Sequence, residues 1–342
     1  MIKKINKKAK ILISIGSVLL FVGLMLVAGP FIFPVEDVGL ETRYGITYST
    51  MYAEELGIDT VGGYEAMVSE LGFDLARIPV YWNRIEARKG EFDWTEVDEL
   101  MAISSSNDVD VIMAIGRRVP RWPECFLPEW LDADDQAVLE EAQLKMMREV
   151  VNRYKDHPAL VRWQVENEPY FTLFGECPKL DREFLKSEFE LVRSLDDNTP
   201  LQTTASGEQS LWYPAARLAK DYVGISVYRT TYTPFLGYST YPMKPWMYRA
   251  RVGLVGETKL VVSELQMEPW FARPIDQYSS EEMLEIFNVD DFNAHIKYTE
   301  ATGFKEVSLW GTEWWYFMKE KGHPEIWDAS KALFLKDDKI EI

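Results

Sequence analysis

The sequence predicts an α/β fold, a (β/α)8 or TIM barrel, and three observations carry that prediction. Short apolar runs alternate with amphipathic runs over about 300 residues. Eight runs of each kind can be read. No Gly-rich phosphate loop follows an early apolar run, although a doubly wound open sheet usually carries one.

In chain order the apolar runs are YGITY (44–48), LARIPV (75–80), VDVIMAIG (109–116), LVRWQV (160–165), PLQTTA (200–205), YVGISVY (222–228), KLVVSEL (259–265) and EVSLWG (306–311). They are short and continuous, as suits parallel strands covered on both faces. Helical spacing fills the gaps. Residues 60–71 place Tyr64, Met67 and Leu71 on one face, and 95–106 do the same with Val97, Leu100, Met101 and Ile103. The longest helix, 134–155, opens on Asp134 and stops at Asp156-His157-Pro158. Further helices fit 181–196, 211–220, 244–256, 280–302 and 324–334. No linker divides the region, so residues 36–342 form one expected domain.

Ahead of it lie a basic flank, residues 1–10, and an uncharged apolar run, residues 11–33. A signal-peptide core is typically about 7–15 residues and a spanning helix needs about 20. The run has 23 residues, so a transmembrane signal anchor is expected, with a cleaved signal peptide as the alternative. Lysines before the span place the remainder of the chain outside the cytoplasm, attached to the cell membrane.

Composition narrows the partners. Hydrophobic residues make up 47% of the 342, enough for a sizeable core, and twelve Trp exceed what a core of this size calls for. Net charge is −18, and the five lysines before the first acid leave −23 on the rest. Such a surface repels nucleic acid and suits a neutral substrate. Two Cys and three His match no metal motif, so neither metal nor cofactor is expected. Cys125 and Cys177 fall in the loops after strands 3 and 4, adjacent at one rim. Outside the cytoplasm they are expected to form a disulfide.

Barrel enzymes place chemistry at the C-terminal ends of their strands. Strand 2 delivers Arg77 and then Tyr81, Trp82 and Asn83. Strand 3 delivers Arg117, Arg118 and the run Pro120 to Glu124, with Trp122 inside it. Strand 4 ends in Asn167 and Glu168, strand 5 in Ser206 and Glu208, and strand 6 in Tyr228 and Arg229. Strand 7 gives Glu264, Gln266, Glu268 and Trp270. Strand 8 gives Trp310 and then Glu313, Trp314 and Trp315. Two carboxyls on nearly opposite strands, with aromatic walls between, suit glycoside hydrolysis. One acid protonates the leaving oxygen while the other attacks carbon or activates water. Glu166 is a second acid near the strand-4 tip, and strand alternation points it to the same face as Glu168.

Asn-Glu-Pro at 167–169 resembles the strand-4 motif of the clan A glycoside hydrolases. That resemblance implies an acid/base at Glu168 and a sugar-binding Asn167. The clan's strand-7 nucleophile matches Glu264 in VVSELQ, 96 positions further on. RIPVYWNRIEARKGEFDW (77–94) resembles the clan's strand-2 segment, and DHPALVRWQVENEP resembles the approach to strand 4 in families 5, 39 and 42. Arg77 and Tyr228 match residues that contact the nucleophile, and Trp310 matches the platform under the cleaved sugar. Family 5 also carries histidines on strand 3 and before the strand-6 Tyr, where this chain reads AIGRRVP and ISVY. The implied activity is retaining hydrolysis of a carbohydrate, with Trp82, Trp122 and Trp270 as further sugar-binding residues. A transglycosylase remodelling surface polysaccharide would use the same set, and a non-catalytic carbohydrate-binding barrel would keep the Trp platforms alone.

Overall fold

Eight strands form in a computed structural model that describes residues 42–337, preceded by residues 17, 23 and 28–34. Strand 1 is Arg43–Thr47, strand 2 Leu75–Pro79, strand 3 Asp110–Ile115 and strand 4 Leu160–Val165. Strand 5 is Leu201–Ser206, strand 6 Tyr222–Val227, strand 7 Lys259–Gln266 and strand 8 Glu306–Trp310. Every neighbouring pair is parallel, and strand 8 closes on strand 1 with Thr47 beside Trp310. The (β/α)8 barrel expected from the apolar runs is the fold.

Helices cover the outside because their apolar faces have nowhere else to go. Thr60–Leu71 starts where the Asp59 side chain accepts from the Gly62 amide at 2.6 Å, and it ends at left-handed Gly72. Gln136–Tyr154 buries Leu139, Met146, Met147, Val150 and Val151. Each such side chain contributes about 1.5–3 kcal/mol when fully buried.

The barrel interior is polar along one continuous path. Arg162 on strand 4 crosses to Glu306 at the start of strand 8, 2.6 Å away, and also donates to Gln202 at 3.0 Å. Gln202 donates to Gln164 at 3.1 Å, and Gln164 accepts from Arg77 at 2.7 Å. Because each of these buried groups has a partner, a run of polar side chains survives inside the sheet. Its upper end is Arg77, which faces the strand tips.

Cys125 and Cys177 are joined by a disulfide, with their Cα atoms 5.2 Å apart, as their two loops led us to expect. The bond closes a loop of 52 residues. Replacing both cysteines by serine lowers the free energy of unfolding by about 2–4 kcal/mol. A fall in the urea midpoint reads this directly, and an unchanged midpoint refutes it.

Three expectations change. Residues 280–302 are two helices, Ser280–Ile286 and Val289–Glu300, because Asn288 and Asp291 form a capping box that starts the second. Glu313, Trp314 and Trp315 are not loop residues but lie buried in the helix Thr312–Glu320. A hairpin, Thr230–Thr233 paired with Gly237–Thr240, follows strand 6 where a loop was expected. The expected transmembrane helix over 11–33 falls mostly outside the described residues, and among those described no helix is long and apolar enough to cross a membrane. At the last residue of that run, Arg249 donates to the Phe33 carbonyl, and the Phe33 ring stacks on Trp246 with centroids 6.1 Å apart.

Candidate active site

Arg77 organises the floor of the site. It is fully buried, and its guanidinium reaches the tips of strands 4 and 7. Nη1 donates to Glu264 Oε1 at 2.9 Å and to the Ser263 carbonyl at 3.1 Å, while Nη2 donates to Asn167 Oδ1 at 2.7 Å. Tyr228 donates its hydroxyl to the other oxygen of Glu264 at 3.2 Å. Both Glu264 oxygens are thereby fixed in direction. Such a carboxylate is already aimed and needs no reorganisation to act.

Glu168 has a different environment. Its amide donates to Thr204 Oγ1 at 2.7 Å, and Ser226 donates to its Oε1 at 2.8 Å. No cation pairs with it. Burial, and next the charges of Glu264 and Glu124, push its pKa well above the usual carboxylate value. A carboxyl kept protonated beside an aimed carboxylate can donate a proton to a leaving oxygen.

Glu166 and Glu168 do not share a face as strand alternation suggested. Strand 4 ends at Val165, and the backbone then turns left-handed at both acids, with φ of 58° and 44°. Glu166 turns away from the cleft, and the Arg117 and Arg118 amides donate to its carboxylate at 2.9 and 3.0 Å. Gly116, at φ 123°, makes the room, because a Cβ there would collide with the Glu166 carboxyl. Burial and the adjacent acid Glu166 keep the pKa of Glu188 well above normal, and the Gln143 side chain donates to both acids.

The loop after strand 3 supplies two residues that the sequence did not single out. Arg121, itself left-handed at φ 91°, lies between the Tyr52 and Trp310 rings, 3.7 and 4.2 Å from their centroids. It also pairs with Glu268 at 2.5 Å and Glu313 at 3.2 Å. Glu124 brings a third carboxyl to the cleft, paired with Arg118 at 2.7 Å. Its sequence signal was its place beside Cys125, since a rim disulfide near Glu168 carries its neighbours there too.

These groups line a cleft of about 1130 Å³, large enough for more than one sugar ring. Trp122, Trp270 and Trp310 all line it, along with Glu168, Glu264 and Tyr228. An aromatic row runs outward from Tyr228 through Trp270 and Phe174 to Trp122, with centroids 5.6, 5.8 and 5.4 Å apart in turn. Trp122 is 58% exposed at its outer end. Trp82 does not belong to this wall. It is 1% exposed, its Nε1 donates to Glu86 at 2.7 Å, and its ring packs against Trp130, so its reading as a sugar-binding residue is corrected.

Comparison with known proteins agrees with this geometry. The family model for cellulase (glycosyl hydrolase family 5) matches residues 40–194, a stretch that contains Arg77, Asn167 and Glu168. The β-galactosidase LacZ of Heyndrickxia coagulans is 26% identical over 153 residues, which cover 38% of this chain and 23% of that protein. The chain thus spans about a quarter of the length of that curated relative. A GH5_18 protein of Bifidobacterium longum subsp. longum, crystallised in complex with Manb1-4GlcNAc, superposes with a TM-score of 0.60 at 12% identity, covering 87% of this chain and 79% of that one. A GH10 protein of Paenibacillus barcinonensis superposes with a TM-score of 0.52 at 17% identity, covering 80% and 85%. Both likenesses are of fold. The closed parallel barrel carries Asn167-Glu168 at the tip of strand 4 and Glu264 on strand 7, and the family 5 model is similar to the part of it, under half of the chain, that holds Arg77, Asn167 and Glu168.

Proposed function

We propose that the protein is a retaining glycoside hydrolase that cleaves β-linked O-glycosidic bonds in oligo- or polysaccharides by double displacement. Glu264 attacks the anomeric carbon while Glu168 gives its proton to the departing oxygen. Glu168 then takes a proton from the water that releases the sugar. The observation that carries this reading is the unequal setting of the two acids. Arg77 and Tyr228 hold Glu264, whereas Glu168 has no cation and a raised pKa. Asn167 binds the sugar next to the bond that breaks, and Trp310, Trp270 and Trp122 offer ring faces to its C–H surfaces.

The disulfide favours an oxidising compartment. In the same proposal residues 1–10 are a cytoplasmic flank, residues 11–33 hold the protein in the membrane, and the domain 36–342 faces outward. The uncharged run and its basic flank support this arrangement.

A panel of nitrophenyl β-glycosides, with the galactoside among them, tests the activity. Proton NMR of the first-formed product tests the stereochemistry. The expected result is release of nitrophenol with a β-configured product. Inversion refutes double displacement, and silence on the whole panel and on β-glucans, mannans and xylans refutes the hydrolase.

A further inference from the structure

A double displacement uses two carboxyls, and the cleft holds others that neither step employs, Glu124 among them. Glu124 is 5% exposed and left-handed at φ 75°, at the end of a tight turn in which its amide donates to the Arg121 carbonyl at 2.6 Å. Its Oε2 accepts from Arg118 Nε at 2.7 Å. Arg118 is itself immobilised, because its other nitrogens donate to the Phe171 and Phe174 carbonyls at 2.8 and 2.9 Å. The next residue is tied down by the Cys125–Cys177 bond. Few side chains in the cleft are held so firmly.

The other oxygen is held less tightly. Oε1 accepts from Asn167 Nδ2 at 3.3 Å, long for a bond to a charged acceptor. It therefore keeps acceptor capacity on the side that lines the cleft. Burial and the nearby charge of Glu264 push Glu124 up to about 7, against the pull of Arg118. An acid set this way is costly to bury and adds little to the fold.

Geometry decides what could use it. A pyranose with its anomeric carbon between Glu168 and Glu264 meets the aromatic groups Tyr228 and Trp270 on one side. The polar groups come in order: Asn167 precedes Glu168 in the chain and shares the Arg77 guanidinium with Glu264, and Glu124 lies one hydrogen bond beyond Asn167. Ring hydroxyls follow the same order, C2 next to the anomeric carbon and C3 beyond it. We propose that Glu124 is a specificity residue that accepts a hydrogen bond from the C3 hydroxyl of the sugar bound between Glu168 and Glu264. The site then takes neutral sugars with a free C3 hydroxyl and discriminates against uronates and C3-substituted rings.

This assignment rests on the glycosidase reading, and the experiment separates the two. Wild type, Glu124→Gln and Glu124→Asp are compared on the nitrophenyl glycoside the wild type cleaves best and on its 2-deoxy and 3-deoxy analogues. Loss of the contact lowers kcat/KM of both variants about 10- to 100-fold on the parent. The same loss is expected on the 2-deoxy analogue. On the 3-deoxy analogue variant and wild type agree within about threefold, because the hydroxyl is already gone. Equal losses on all three substrates overturn the proposal, as does a difference that vanishes on the 2-deoxy analogue instead. Wild type inactive on every glycoside defeats the glycosidase reading itself. Unfolding midpoints of the two variants serve as the folding control, and Glu124→Asp keeps the charge on Arg118 should Glu124→Gln fold poorly.

Discussion

Glu264→Ala abolishes turnover on every glycoside the wild-type protein cleaves, with a loss in kcat on the order of 10⁵-fold or more. No other cleft carboxyl can replace it. Glu124 is turned toward Arg118, Glu268 toward Arg121, and Glu168 toward Ser226. Glu264 is aimed at both oxygens, by Arg77 at one and Tyr228 at the other. A 2-fluoro glycoside with a good leaving group, which slows release of the captured sugar, adds its mass to the peptide containing Glu264. Mass on another peptide, or measurable turnover by the alanine variant, refutes the assignment. Arg77 is left intact in this test because its removal would strand several buried groups and unfold the floor of the site.

Glu168→Ala fails in a different way. The first step needs a proton only when the leaving group is poor, so dinitrophenyl glycosides are spared while alkyl glycosides lose about 10²–10⁴-fold. Release of the sugar also slows, because no base remains to activate water. Azide enters the space the side chain vacates and restores turnover as a β-glycosyl azide. In the proposed mechanism Glu168 acts with its proton on, and burial with the Glu264 and Glu124 charges raises the pKa at which that proton leaves. Wild-type kcat/KM therefore falls as pH rises through that raised value, and this basic limb disappears in Glu168→Ala. A basic limb that persists unchanged, or azide without effect, removes Glu168 from the role.

Much of this could be read in the chain because its signals are local. Continuous apolar runs located all eight barrel strands, and spacing alone gave the helices 60–71 and 95–106. Strand ends gave the candidates, and the resemblance to the clan A motifs picked Glu168, Glu264, Arg77 and Tyr228 from among them. Other features depend on contacts between distant segments. The break at Asn288 is a side-chain cap inside an unbroken apolar pattern. Trp82 and Trp315 look like any other tip aromatics until Glu86 and the Met267 carbonyl take their indole N–H groups. Arg121 and Glu124 owe their positions to left-handed turns at residues that have side chains, where propensity argues against such turns. The direction of Glu166 was misread for the same reason, since alternation holds only while the strand lasts.

Those left-handed residues set stability against activity. Four acidic or basic side chains in the cleft or just behind it, Arg121, Glu124, Glu166 and Glu168, occupy backbone conformations that glycine adopts freely and they do not. Each such position costs about 1–2 kcal/mol relative to a relaxed residue. A library of variants sorted for heat resistance alone would be drawn toward glycine or asparagine at positions 121 and 168, and would discard the cleft while improving the barrel. Engineering of this protein for durability therefore has to score survival and turnover together, leave these four codons fixed, and seek its gains on the outer helices.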